Sequence, residues 1–401
     1  MASGMINFST INGTTDFVKK SFAGMITRLM PNGQAPLFGL TSMLKDETAV
    51  QVEHGFFTKT MVFPSLNLDA LVADGVATTF TVASTTNVLP GMLMRAQSTG
   101  EVILILTVPD ATHVTVRRGV GTIAAAAIAN DVNFYQVGNA FEEGSVRPAA
   151  LSIQAVRVTN LTQIFRNSWA LTDTARATQV IAGDTNMAES RSECAAFHAV
   201  DMEKAIFFAQ KYSGTLNSQP IRTMDGLINQ VTINAAANVN TAAATTNYTQ
   251  LEALLDVCFN TVTDPKVANE RVLFCGGAAK RVLNNIGRLN GTYQLVDGAT
   301  SYGLQFSSFK TSRGTFRMIE HPLFNSNTDW AKMAVAVDLS SFNLAYLGDR
   351  KTQSSEYGAN GQALESGIDA VGGSLTTELT CLVKNPAANA IIYGLTAAAA
   401  G

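Results

Sequence analysis

Charge is scarce in this sequence. Asp, Glu, Lys and Arg together make up 15% of the 401 residues, against roughly 25% in an average soluble domain. A solitary soluble protein keeps a well-charged surface so that it does not stick to itself, and the deficit argues against that way of life. Thr, Ser, Asn, Gln and Ala stand where the charge is missing. Such side chains are readily covered in protein–protein contacts, from which Lys, Glu and Asp are depleted. A monomer with a neutral polar surface is the alternative; extensive burial against other copies is the preferred reading.

No basic excess exists either. Lys and Arg number 28, Asp and Glu 31, and the net charge is −3. This balance leaves no electrostatic footprint for gripping nucleic acid by counterion release. Any DNA the chain meets is expected to be enclosed, without sequence-specific binding. Long apolar runs are missing as well. Met1 to Thr15 lacks the basic start and the continuous apolar segment of a signal peptide. The longest charge-free stretch, Gly226 to Leu251, is too rich in Asn and Thr to cross a bilayer, so no membrane partner is expected. Paired cysteines are lacking too. Cys194, Cys258, Cys275 and Cys381 are widely scattered and form no CxxC, which fits a reducing cytoplasm and four small buried hydrophobes.

The motifs of catalysis are equally hard to find. His54, His113, His198 and His321 lie far apart, none in HExxH, and no spacing suggests a convergent zinc site. His198 is read as half of a surface pair with Asp201, three residues on. GxSxG is missing. Gly119, Gly121 and Ala124 fit the GxGxxA form of the dinucleotide fingerprint, with Glu142 downstream, but no helix opens at those glycines as that fold demands; a β-turn is the better reading. Gly276-Gly277 followed by Lys280 lacks the Walker spacing and reads as a tight strand-to-helix connection. Glu142-Glu143 reads as a solvated loop, since neighbours on a strand point to opposite faces. Asn160-Leu161-Thr162 and Asn290-Gly291-Thr292 match glycosylation acceptors and are taken as ordinary loops. No catalytic, cofactor-binding or metal-ligating residue is nominated, and a carboxylate-pair hydrolase finds no candidate pair.

Organisation along the chain is more informative. Residues 1 to about 50 read as an arm, with a short helix at Phe17 to Leu29 broken by Pro31, Gly33 and Pro36. It is too thin in apolar content to build a core. Val50, Val52, Phe56, Thr60, Val62 and Phe63 then suggest a long extended limb. Residues 76 to 138 look like a self-contained β unit, a small barrel or sandwich of four or five strands around Phe80, Val82 and the run from Glu101 to Val108. Leu151 to Phe165 is the returning limb. A long helix follows from Asp184 or Thr185 to Ser213-Gly214, with Ala195, Ala199, Met202, Ile206 and Ala209 as its apolar stripe. At roughly 30 residues it spans about 45 Å, a scaffold strut. Beyond Arg222 the pattern is mixed α/β: a helix from Tyr248, a strand at Arg271 to Phe274 and a helix at Ala278 to Ile286. Strands dominate after about 305, with a hairpin turned at Ser312-Arg313-Gly314 between Phe309 and Phe316. Gly358 to Gly373 reads as a loop.

This order of parts resembles major capsid proteins of tailed double-stranded DNA phages with the Hong Kong 97-type fold. It is closer still to the short-tailed-phage subfamily that carries a β domain in the extended loop. The stretches behind the resemblance are Asn160-Leu-Thr-Gln-Ile-Phe-Arg166, Phe274-Cys-Gly-Gly-Ala-Ala-Lys-Arg-Val-Leu283, Ser312-Arg-Gly-Thr-Phe-Arg-Met-Ile-Glu-His-Pro322, Leu347-Gly-Asp-Arg350 and Val383-Lys-Asn-Pro386. The resemblance implies an α+β fold with an N-terminal arm at 1–50 and an extended loop at 51–165 bearing the inserted β domain at about 72–139. It further implies a peripheral domain at 166–221 with a spine helix at 184–213, an α/β axial domain at 222–305, and strands at 306–401 returning to both. It implies a non-enzymatic shell protein that assembles as pentamers and hexamers into an icosahedral capsid around DNA in the host bacterial cytoplasm. Scaffolding and portal proteins are the other implied partners, with room for a cement protein; no cofactor is implied. The N-terminus looks too short for a built-in scaffold, so a separate scaffolding protein is expected. Phe56, Phe57, Val62 and Phe63 are the expected inter-subunit contacts, because a limb buries its strand edges and apolar side chains only on a neighbour. The rival readings are an encapsulin-like nanocompartment shell, which would enclose cargo protein, and a tail or head-completion protein, which would form rings or fibres.

Overall fold

Two short strands, β1 (Glu47–Ala49) and β2 (Glu53–Thr58), open the described part of the chain. The computed structural model describes residues 46–59, 63–178, 187–261, 269–289, 300–301, 304–305, 307–357 and 370–399. The arm helix at Phe17 to Leu29, the helix start at 184–186 and Asn290-Gly291-Thr292 lie outside them. Two units are distinguished, one of residues 57–158 and one of the remainder.

Period-two alternation builds the smaller unit. Its strands are β3 (Ser65–Asn67), β4 (Thr79–Thr81), β5 (Met92–Ala96), β6 (Val102–Thr107), β7 (His113–Arg117) and β8 (Asn133–Asn139). They lie in the order β3-β8-β5-β6-β7-β4. The sheet then closes on itself: Leu68 bridges Val82, with Asp69 N donating to Thr81 O and Ala83 N to Asn67 O. Closure leaves no free edge in this ring. The residues pointing inward are Leu66, Leu68, Phe80, Val82, Met94, Ile103, Ile105, Val114, Val116 and Phe134, all buried. Of barrel and sandwich, the structure is a barrel. Its first strand starts at Ser65, ahead of position 72, because Leu66 already points into the interior.

The chain returns through β9 (Val156–Leu161), which pairs with β2 as a two-stranded ribbon. In the larger unit, β10 (Gln163–Thr172) leads to a short helix α1 (Asp173–Ala177) and then to the long helix α2 (Met187–Phe208). The helix ends before the Ser213-Gly214 stop that the sequence suggested. Tyr212 already belongs to a strand, β11 (Tyr212–Leu216), paired with β12 (Gln219–Thr223). The helix-end carbonyl of Ala209 is satisfied from a distance, by Gly226 N at 2.8 Å, so no local glycine cap is needed. The inward ridge of α2 shares Met202 and Ile206 with the expected stripe but not its alanines. It is Cys194, His198, Met202 and Ile206, while Ala195 is exposed.

The remaining elements are α3 (Leu227–Asn234), β13 (Val239–Thr241), α4 (Tyr248–Asp256), β14 (Glu270–Cys275), α5 (Gly277–Leu289), β15 (Thr300–Ser301), β16 (Leu304–Gln305), β17 (Ser307–Lys310), β18 (Thr315–Glu320), β19 (Ala334–Val337), β20 (Phe342–Leu347), β21 (Gln353–Tyr357), β22 (Ala370–Val383) and β23 (Ala390–Tyr393). One sheet has the order β1-β20-β22-β10, with β21 also on β22. A second, mixed sheet runs β13-β23-β19-β14-β18-β17. Helices on both faces explain why its central strands are apolar throughout. Val272, Phe274, Val335 and Val337 pack with Phe207, Leu227 and Val231 on one side. Leu273, Cys275, Ala334 and Ala336 pack with Leu251, Leu255, Val282 and Ile286 on the other. Phe309 pairs with Phe316 across the Ser312-Arg313-Gly314 hairpin, as expected. Of the glycine-rich segment read as a loop, residues 358–369 lie outside the described ones, and Gly372 and Gly373 are strand residues buried inside β22. A Cβ on Gly373 would meet the Trp169 ring and the Ser355 carbonyl, so glycine there serves close strand approach.

Candidate assembly surfaces

Successive residues on a strand face opposite ways, and β2 shows what that does to the expected contacts. Phe56 is half-buried, whereas Phe57 is 73% exposed. Phe63, beyond the strand, is 85% exposed; Val62 lies outside the described residues. In the larger unit Val50 is exposed as well, and in the smaller one Val146, Leu151 and Val156. Scattered exposed aliphatics are unremarkable. Two exposed phenylalanines within a few residues of chain are a different matter, because each leaves a large apolar side chain in water.

The stretch 140–155 strengthens the case. It has no helix or strand and is exposed almost throughout. Its backbone hydrogen bonds among the described residues are sparse: Ala140 N to Gly91 O and Ser145 N to Glu142 O. Structureless stretches of this length are uncommon in a compact domain and are usually either functional or linker segments. Glu142 and Glu143 sit here, solvated as the sequence suggested.

Polar networks fix the strands within each unit. Glu47 of β1 accepts from Asn343 Nδ2 at 2.7 Å and from the Lys384 ammonium, with His54 Nε2 at 3.6 Å. Burial works against its charge, but the bonds from Lys384 and Asn343, with His54 nearby, outweigh it and hold the carboxyl below its ordinary value. Asn160 ends β9 as a buried hub. Its Nδ2 donates to Cys381 O and Asp225 O, and its Oδ1 accepts from Asp225 N at 2.7 Å. Asn160 is therefore a strand residue and not a loop acceptor for sugar; leaving its neighbours' amides unpaired would cost more than exposing it gains.

His198 is likewise not a surface residue. It is 2% exposed, with Nδ1 2.7 Å from Asn167 Oδ1 and Nε2 2.8 Å from Thr377 Oγ1. Asn167 spends its amide on Asp201, so its oxygen faces the ring and Nδ1 carries the hydrogen. Nε2 then accepts from Thr377. Desolvation lowers the His198 pKa, opposed by Asp201. In the barrel, Glu101 and Arg118 form a buried ion pair whose side chains are 0% and 5% exposed. The guanidinium grips both carboxylate oxygens, at 2.9 and 2.6 Å, and lies 5.3 Å from the Phe80 ring centroid.

Burial pushes the thiols of Cys258, Cys275 and Cys381 up to about 12, the behaviour of inert core residues. Among the described residues no three His, Cys, Asp or Glu side chains converge on a metal position, and no helix is long and apolar enough to cross a membrane. Gly119 and Gly121 take positive φ in a loop with no helix after them, and Gly119 N donates to Glu101 Oε1. Gly276-Gly277 joins β14 directly to α5.

Residues 9–396 match the family described as SU10 major capsid protein. The chain belongs to that family. The major capsid protein of Pseudomonas phage PaMx41 is 40% identical over 400 residues, covering 97% of this chain and 95% of the relative. Among solved structures, one of Mycobacterium phage Bobi aligns over 97% of this chain and 98% of its own at 9% identity, with a TM-score of 0.49. The capsid of a native GTA particle aligns over 95% of each chain at 10% identity, with a TM-score of 0.47. The fold is mixed α+β, and the function is that of a major capsid protein of a phage, a structural component of the virion capsid. Of the four residues that the sequence reading expected at a contact, Phe57 and Phe63 are exposed, Phe56 is half-buried and Val62 lies outside the described residues. The same reading named the returning limb from Leu151 without nominating contacts in it, and it missed the hairpin β11–β12, reading Ser213-Gly214 as the end of the helix.

Proposed function

We propose that this chain assembles as pentamers and hexamers into an icosahedral shell of the Hong Kong 97 type around a double-stranded DNA genome. Its ribbon and limb would drape over neighbouring subunits, with Phe56, Phe57, Val62 and Phe63 in that contact. On this reading residues 1–50 are the arm, 51–165 the extended loop with its inserted β domain, 166–221 the peripheral domain and 222–305 the axial domain, to which strands from 306–401 return. Assembly takes place in the host cytoplasm with scaffolding and portal proteins, and a cement protein is compatible with it. The net charge of −3 suits enclosing DNA without gripping it.

One observation carries the reading: Phe57 and Phe63 are 73% and 85% exposed in a chain whose family builds capsids. Each contact can be modest, since a closed shell engages many at once. The test is the full chain with Phe57→Lys and Phe63→Lys, expressed with a scaffolding partner and viewed by negative-stain microscopy. Surface changes of this kind alter subunit stability by about 0.5 kcal/mol or less, so the variant should stay folded while closed particles disappear. Normal particles from the variant would refute the contact assignment. Closed particles from the unaltered chain that hold cargo protein and no DNA would favour a nanocompartment.

A further inference from the structure

The hairpin β11–β12 stands solvated on both faces: every residue from 212 to 221 is exposed except Gly214, which is half-covered. A two-stranded hairpin without cover is marginal in water, so its surface deserves a partner. Its turn residues Asn217 and Ser218 both have positive φ, 51° and 63°, which is the two-residue type I′ turn. That turn makes Leu216 and Gln219 the hydrogen-bonded closing pair, and bonded and open pairs then alternate. Thr215 opposite Pro220 is open, Gly214 opposite Ile221 is bonded, and Ser213 opposite Arg222 is open. The N–H and C=O groups of Ser213 and Thr215 therefore point outward along the free edge of β11. On the other edge one outward position is Pro220, which has no N–H to offer. One edge is blunted and one is open. Among the described residues no third strand joins this sheet.

We propose that β11 pairs antiparallel with β11 of a second copy about a two-fold axis at Gly214, making a four-stranded sheet. In that register Ser213 lies opposite the second copy's Thr215 and Thr215 opposite its Ser213. Each of these pairs exchanges two hydrogen bonds, four in all. Gly214 meets Gly214 at the open pair between them, where strands approach to about 4.5 Å; a Cβ there would already collide with the Tyr212 ring. Tyr212 lands opposite the second copy's Leu216 on one face, an aromatic–aliphatic cross-strand pair, with Ile221 of each copy beside it. These three side chains are 56%, 59% and 37% exposed in the single chain. Ser213, Thr215, Pro220 and Arg222 share the opposite, polar face. Every contact given is also received, as a two-fold interface requires. The inference rests on the reading of the chain as a shell subunit, which brings copies within reach of one another.

Two experiments on the full chain decide it. The double variant Tyr212→Cys with Leu216→Cys should give disulfide-linked dimers when assembled particles are mildly oxidised, while either single variant should not; the native thiols are all buried. Thr215→Pro removes an N–H that the hairpin itself does not use, together with two of the four intermolecular bonds. The soluble subunit should melt within about 2 °C of the unaltered chain, and particle yield should fall at least tenfold. Particles of the double variant that remain monomeric on a denaturing gel overturn the pairing. So does an unchanged yield from Thr215→Pro, and in both cases the capsid reading survives. If Thr215→Pro fails to fold, the cysteine experiment decides alone. If the unaltered chain builds no particles with its scaffold, the capsid reading fails and takes this inference with it.

Discussion

Replacing Arg118 by Met should destabilise the barrel far more than any exposed substitution in the chain. Arg118 holds Glu101 with two bonds and also donates to the carbonyls of Asp74 at 2.6 Å and Ala126 at 2.5 Å. Asp74 and Ala126 are exposed, so water can replace the arginine there at little cost. Glu101 has no such recourse. Its side chain is 0% exposed, and Gly119 N, at 3.1 Å, is the contact that remains. Removing one partner of a buried pair costs about 3–5 kcal/mol because it strands the other charge. At about 1.4 kcal/mol per factor of ten, the opening equilibrium of the barrel should rise between one hundred and several thousand fold.

Amide hydrogen exchange on the full chain, read by peptide, measures this directly. Peptides covering β5, β6 and β7 should exchange faster by about that factor, while β14 and β19 in the larger unit stay as they were. Thermal melting followed by tryptophan fluorescence would miss the change, because Trp169 and Trp330 lie in the larger unit. The double variant Glu101→Leu with Arg118→Met removes both charges and should recover most of the loss, since apolar replacement of a buried pair is often close to neutral. Less than a tenfold change for Arg118→Met, or a double variant as unstable as the single, would refute the reasoning.

Gly276→Ala should lower the denaturation midpoint by about 1–3 kcal/mol worth of stability, because the new Cβ would lie 2.5 Å from the Ala331 Cα and 2.6 Å from its carbonyl carbon, backbone atoms that cannot swing aside; an unchanged midpoint would mean that the 330–332 turn moves freely. His198 gives a pH dependence. Its folded pKa lies below the ordinary 6.5, so its contribution is complete above that value and is lost as the pH falls below it toward the folded pKa. Melting temperatures taken from pH 7.5 to 5.5 should therefore fall more steeply for the native chain than for His198→Gln, and parallel curves would contradict the assignment.

Local pattern carried the barrel and the mixed sheet. Inward and outward residues alternate visibly from Thr79 to Val82, and the apolar runs Arg271 to Phe274 and Val335 to Val337 announce strands covered on both faces. What escaped was decided at long range. The end of α2 looked like Ser213-Gly214, yet Ser213 and Gly214 pair with Arg222 and Ile221, and Gly226 supplies the capping amide from elsewhere. His198 looked like a surface residue because its partners, Asn167 and Thr377, come from β10 and β22, far along the chain. Asn160 was hidden for the same reason. A polar side chain is legible as buried only when its bonding partners can be named, and one-dimensional spacing does not name them.

The same distinction separates what holds the subunit together from what it offers to others. The buried polar groups, Glu101, Asn160 and His198, have bonding partners inside the chain, so they specify one fold and leave nothing for a neighbour. The unmet demands lie instead in apolar and backbone groups: Phe57 and Phe63, and the open edge of β11. Contacts made from such groups depend weakly on ionic strength, because no charges are paired across them. A shell joined this way should tolerate molar salt at neutral pH and come apart when apolar and peptide groups are solvated, as urea does. The scarcity of charge is thus a statement about the joints: a surface with few ions to desolvate is readily covered by copies of itself.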